Sequence, residues 1–105
     1  MINAKEEFIQ HIQYKNLKVK SAALVHKVSY GNKINYILKE KYTPSEYENF
    51  LNSIDFEYDD GFGNQEIKGC ILYEDGTWSD RYEYDGSEWW AYQKCPTIEY
   101  FIEDK

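Results

Sequence analysis

Positive charge is scarce in this sequence. Twelve Lys and Arg stand against 19 Asp and Glu, a formal net charge of −7, and Arg81 is the lone arginine. A chain with this acidic balance is not expected to grip nucleic acid through its phosphates, nor to dock on an anionic membrane. Proline is limited to Pro44 and Pro96, and no Gly/Ser-rich stretch occurs. Nothing therefore reads as a linker, and one domain over 1–105 is expected. No apolar run approaches the roughly 18 residues a membrane-spanning helix needs. The opening Met1-Ile2-Asn3-Ala4-Lys5-Glu6-Glu7 lacks the basic region and apolar stretch of a signal peptide, so a cytoplasmic location is expected. The two cysteines, Cys70 and Cys95, have no zinc-like or CxxC spacing and are expected as free thiols.

Aromatic residues are plentiful: 11 Tyr, 5 Phe and 3 Trp, 18% of the chain. That content argues against global disorder. Charge is also segregated. Residues 1–53 carry +3 and residues 54–105 carry −10, with 11 acids between Asp55 and Glu88. An oriented charge distribution of this kind steers association with a partner of opposite sign.

Local signals predict an α+β domain, ordered α-β-β-α-β-β-β, with about five antiparallel strands and two short helices packed on one face. Asn3 followed by Glu6 makes a capping box before the apolar Phe8, Ile9 and Ile12, so a helix is expected from 4 to about 13. Residues 17–30 and the alternating Ile34, Tyr36, Leu38 form a hairpin about Gly31-Asn32. Thr43-Pro44-Ser45-Glu46 is a capping box with proline at the first helical position. Tyr47, Phe50, Leu51 and Ile54 follow on one helical face, giving a second helix from 44 to about 53. Asp75-Gly76 reads as a two-residue type I′ turn. That turn would pair Tyr73 with Trp78, Ile71 with Asp80, Gly69 with Tyr82 and Ile67 with Tyr84 on one face, and leave Cys70 opposite Arg81 on the other. The register after Asp85-Gly86-Ser87 stays open, because a two-residue loop sets Glu83 against Glu88. Pro96 is expected to end the ladder.

Motifs for catalysis are missing. The two histidines, His11 and His26, lie away from the acids in sequence, and no GxSxG, HExxH or P-loop occurs. Gly61-Phe62-Gly63 lacks the last glycine of a dinucleotide fingerprint, since Glu66 stands there. Asp55, Glu57, Asp59 and Asp60 suggest calcium, but placing Gly61 sixth in an EF-hand loop puts Phe56 first. No enzyme activity, cofactor or metal is expected. Asp80, among aromatics in the expected register, is expected to reach Tyr hydroxyls or a backbone amide rather than to act in catalysis. Trp89-Trp90 is informative, because adjacent strand residues point to opposite faces and the two rings cannot share one core.

The stretch from Ile54 to Ile98 carries Asp55-Phe56-Glu57-Tyr58-Asp59, Gly61-Phe62-Gly63-Asn64-Gln65-Glu66, Asp75-Gly76-Thr77-Trp78, the string Glu83-Tyr84-Asp85-Gly86-Ser87-Glu88-Trp89-Trp90, and Cys95-Pro96. It resembles a family of small proteins carried by tailed phages and prophages. Tyr82 stands where that family usually has glycine. The resemblance, together with the charge, implies counter-defence work of the anti-CRISPR type: a non-catalytic inhibitor that occupies the DNA path of a basic host nuclease or CRISPR effector. The expected contact surface is Asp55, Glu57, Asp59, Asp60, Asp85 and Glu88, with Trp89 or Trp90 as anchor. Two other readings stand beside it. One is a small-ligand or nucleotide-signal binder with a pocket of Trp78, Tyr82 and Tyr92. The other is a phage accessory domain acting as a homodimer or larger homo-oligomer.

Overall fold

Asn3 begins the first helix with a side-chain oxygen that accepts the Glu6 amide at 3.0 Å. The computed structural model, which describes residues 1–29, 31–59 and 65–94, runs β1 (Ile2–Asn3), α1 (Ala4–Tyr14), β2 (Val19–Ser29), β3 (Asn32–Leu38), α2 (Pro44–Ser53), β4 (Glu57–Tyr58), β5 (Ile67–Tyr73), β6 (Trp78–Tyr84) and β7 (Ser87–Gln93). Thr43 completes its capping box: the Glu46 amide donates to Thr43 Oγ1 and the Thr43 amide donates to Glu46 Oε1. Both helices start where their caps predict.

Five strands form one antiparallel sheet in the order β3-β2-β5-β6-β7, and β1 pairs with β4 in a separate two-stranded ribbon. Phe8 and Ile12 of α1, Phe50 of α2 and the adjoining Ile54 pack on one sheet face, against Leu24, Leu38, Ile67, Ile71, Tyr73 and Trp90. The domain is therefore α+β with its helices on one side. Gly69 lets β5 approach β2 there. A Cβ at that position would lie 2.1 Å from the Ala23 carbonyl oxygen, closer than any side chain allows.

Two turns differ from expectation. Ser29 pairs with Asn32, so Asn32 already belongs to the strand and not to the turn; Tyr30 lies outside the described residues. The β5–β6 turn has three residues, not two: Leu72 pairs with Trp78, and Tyr73 and Thr77 close the loop around Glu74-Asp75-Gly76. Asp75 makes this turn, because its carboxylate accepts both the amide and the hydroxyl of Thr77. Gly76 takes φ +89°, the left-handed residue such a loop needs. The extra residue shifts the register by one, which exchanges the two faces of β6. Ser79 and Arg81 now point at the core, and Trp78, Asp80 and Tyr82 point away from it. The expected pairs Ile71–Asp80 and Tyr73–Trp78 are replaced by Ile71–Ser79 and Leu72–Trp78.

The β6–β7 turn does take two residues, Asp85 at φ +52° and Gly86 at +87°, which sets Glu83 against Glu88. The opposition that seemed unfavourable is relieved on both sides. Glu83 accepts the Gly86 amide at 2.9 Å, and Glu88 is neutralised by Arg81.

Candidate functional site

The face exchange of β6 builds a buried ionic cluster that the sequence reading did not contain. Arg81 donates to Glu88 Oε1 at 2.5 Å, to Glu7 Oε1 at 3.0 Å and to the Tyr58 hydroxyl at 2.9 Å. Tyr58 in turn donates to Glu7, and Glu88 accepts the backbone amides of Glu66 and Ile67. The cluster thus ties α1, β4, β5, β6 and β7 together. Burial pushes the Glu7 carboxyl up, against the pull of Arg81. Burial works against the Arg81 charge, but Glu7, Glu88 and Tyr58 outweigh it and hold the guanidinium protonated.

This cluster corrects one of the expected contact residues, Glu88, and decides between the two tryptophans. Glu88 is 3% exposed and fully engaged, so it is no part of an outer surface. Trp90 is 6% exposed, edge-on to Phe8 with ring centroids 6.3 Å apart and with the Arg81 guanidinium over its ring. Trp89 is the exposed ring of the pair, at 41%. Asp55 is exposed and accepts from the Asn3 side-chain amide, and Glu57 is exposed on β4. Asp59 is half-buried, its amide donating to Glu66. Asp85 is exposed at the β6–β7 turn. Asp60, the 60–64 loop, Cys95 and Pro96 lie outside the described residues.

The remaining carboxylates lie on two neighbouring segments at one end of the domain. Tyr58 reaches Arg81, and Glu66 lies beside Glu88, so β4 sits next to the β6–β7 turn. Asp55, Glu57 and Asp59 lie in the segment after α2, and Glu83 and Asp85 lie at the turn; by register Lys27, Lys33 and Lys68 stand at the same end of the sheet. Tyr84, 75% exposed, lies beside Asp85 on the sheet face that no helix covers.

Nucleophilic chemistry has one geometric candidate. Ser79 Oγ lies 2.8 Å from His11 Nε2, but Ser79 is 0% exposed and also bonds the Tyr73 hydroxyl. His11 stacks on Tyr92, and burial, then Arg81 and Lys15, push its pKa down to about 4. A sealed hydroxyl beside a weak base with no orienting carboxylate is a polar link in the core, not a reacting pair. Asp80 sits on the outer face, accepting from Trp78 Nε1. Among the described residues, no three His, Cys, Asp or Glu side chains gather as a metal site. No helix among them is long and apolar enough to cross a membrane. Trp78 and Tyr82 lie on the sheet face opposite Tyr92, so the three do not line one pocket. A groove of about 490 Å³ runs over the outer face between Ile37, Ala23 and Leu72.

A three-residue loop with Gly in third place is the signal that could have located Arg81 in the core. Glu7 and Tyr58 give no such signal, because their positions depend on packing between distant elements. Comparison with known proteins found no match to a family model, a curated protein or a solved structure.

Proposed function

We propose that this chain is a non-catalytic inhibitor that binds a basic site on a host nuclease or CRISPR effector, in the manner of a nucleic-acid mimic. The observation that carries the reading is the set of exposed carboxylates Asp55, Glu57, Glu83 and Asp85 around β4 and the β6–β7 turn, two segments tied together by Arg81–Tyr58 and Glu66–Glu88 hydrogen bonds. Carboxylates spaced over a small surface present the charge that a nuclease groove accepts from phosphates, and they mainly raise the association rate. Trp89, exposed on the uncovered face of β7, supplies an aromatic anchor, since tryptophan contributes heavily to interface hot spots. The phage setting comes from the sequence resemblance.

The test is a cleavage assay with purified CRISPR effectors and the chain in equimolar amount. Inhibition is expected to be stoichiometric, competed by DNA and weakened by salt. Replacing Asp55, Glu57 and Asp59 with Lys, and Asp85 with Asn, is expected to remove inhibition with little change in melting temperature. Asparagine at 85 keeps the left-handed backbone available. Equal inhibition by this variant at low salt would overturn the reading.

A further inference from the structure

The two edges of the five-stranded sheet are unlike. Strand β3 carries Lys33, is followed by Lys39, and pairs with a β2 that shifts register between Lys27 and Ser29. Lysines and irregularities of this kind discourage further pairing. Strand β7 has neither device. It reads Ser-Glu-Trp-Trp-Ala-Tyr-Gln, pairs with β6 without a register shift, and among the described residues has no strand on its other side. Its one charged residue, Glu88, is already neutralised by Arg81.

We propose that β7 is a dimer edge and that its occupant is β7 of a second copy, antiparallel across a two-fold axis. The backbone limits the register. The type I′ turn commits the Ser87 amide to β6, and alternation then turns the amides and carbonyls of Glu88, Trp90 and Tyr92 outward. Full overlap of these groups centres the axis on Trp90, so that Glu88 faces Tyr92 of the second copy and Trp90 faces its own mate. Trp89 falls opposite Ala91 of the second copy, a large ring beside a small side chain, and no two like charges meet.

Charge complementarity favours this occupant. The same register brings Gly86 of one copy opposite Lys94 of the other, so the acidic turn with Glu83 and Asp85 lies against Lys94 of its mate. Lys15, whose ammonium lies over the Tyr92 ring, joins Lys94 there, with Asp75 of the β5–β6 turn beside them. Helix α1 reinforces the match. It lies over β6 and β7, with Glu7 at Arg81 and His11 at Ser79, so the two copies of α1 would run antiparallel. The acidic first turn of each then lies near the Lys15 end of the other. The product is a continuous sheet across both copies, with both Trp89 rings on its uncovered face. This inference does not rest on the proposed host partner.

Sedimentation velocity on the full chain, up to about 200 µM and at low and high salt, tests it. A dimer is expected whose dissociation constant rises about tenfold or more with salt. Lys94→Glu is expected to weaken it by about tenfold, and adding Asp85→Asn to recover part of that loss. In a background with Cys70 and Cys95 replaced by Ser, Trp89→Cys with Ala91→Cys is expected to oxidise to a covalent dimer, since these positions would form a close non-hydrogen-bonded pair across the axis. Unchanged melting temperatures would separate these effects from misfolding. A monomer at every concentration overturns the proposal, whatever foreign strand the edge accepts. So does a dimer indifferent to Lys94→Glu that fails to cross-link.

Discussion

Arg81 is the residue on which the largest single effect is expected. Charged side chains are almost never fully buried unless paired, and Arg81 is paired twice, with Glu7 and Glu88. Arg81→Met leaves Glu88 buried with no cation and is expected to cost about 3–5 kcal/mol, measurable by urea denaturation. His11 is expected to dominate the acid limb of stability. Its pKa falls from 6.5 in the unfolded chain to about 4 in the fold, so between these values the unfolded state binds the proton more readily. Stability is present above pH 6.5 and is lost as pH falls toward 4. Glu7 acts in the opposite sense, because its raised pKa lets the fold hold a proton that the unfolded chain releases. A plot of melting temperature against pH for His11→Phe, which keeps an aromatic ring on Tyr92, is expected to be flatter over that window than for the parent chain. An equal slope in both would refute the assignment.

Secondary structure here is decided by short-range chemistry, and it was correspondingly legible. The Thr43 box and Pro44 predict α2 over the residues it occupies, and Thr43→Ala is expected to lower stability by about 1 kcal/mol. The turns were less legible, because Asp-Gly serves both a two-residue and a three-residue loop. At Asp85-Gly86 both residues take positive φ and the loop has two residues; at Asp75-Gly76 the aspartate instead accepts the Thr77 amide and the loop has three. Strand packing yields a second element-scale prediction. Gly69→Ala drives a methyl into the Ala23 carbonyl, a backbone group with no rotamer to yield, and is expected to cost about 3 kcal/mol, the upper part of the usual overpacking range. A melting temperature within a degree or so of the parent would show that β2 and β5 can separate at little cost.

At the scale of the whole molecule, the net charge of −7 divides into two populations. Glu7 and Glu88 are spent inside the fold on Arg81, while Asp55, Glu57, Glu83 and Asp85 stay exposed. Exposed like charges repel, and salt screens them over a Debye length of about 10 Å at 0.1 M. Raising ionic strength is therefore expected to raise the melting temperature of dilute protein modestly, and the charge-reduced variant described for the inhibition assay is expected to lose most of that dependence. The aromatic residues divide in the same way: Trp90 fills the core, while Trp89, Tyr82 and Tyr84 stand on the face no helix covers.

The sequence by itself determined the fold class, the positions of both helices, the location of the hairpins, and the requirement that Trp89 and Trp90 part company. Each of these follows from groups within a few residues of one another: a cap and its amides, a side chain and its strand neighbour. Only the tertiary structure decided which tryptophan is exposed, that Glu88 is internal, and that Arg81 belongs to the core. A strand's two faces differ by a shift of one residue, and the choice between them rests on partners as distant as Glu7 and Tyr58, whose approach to Arg81 no local pattern encodes.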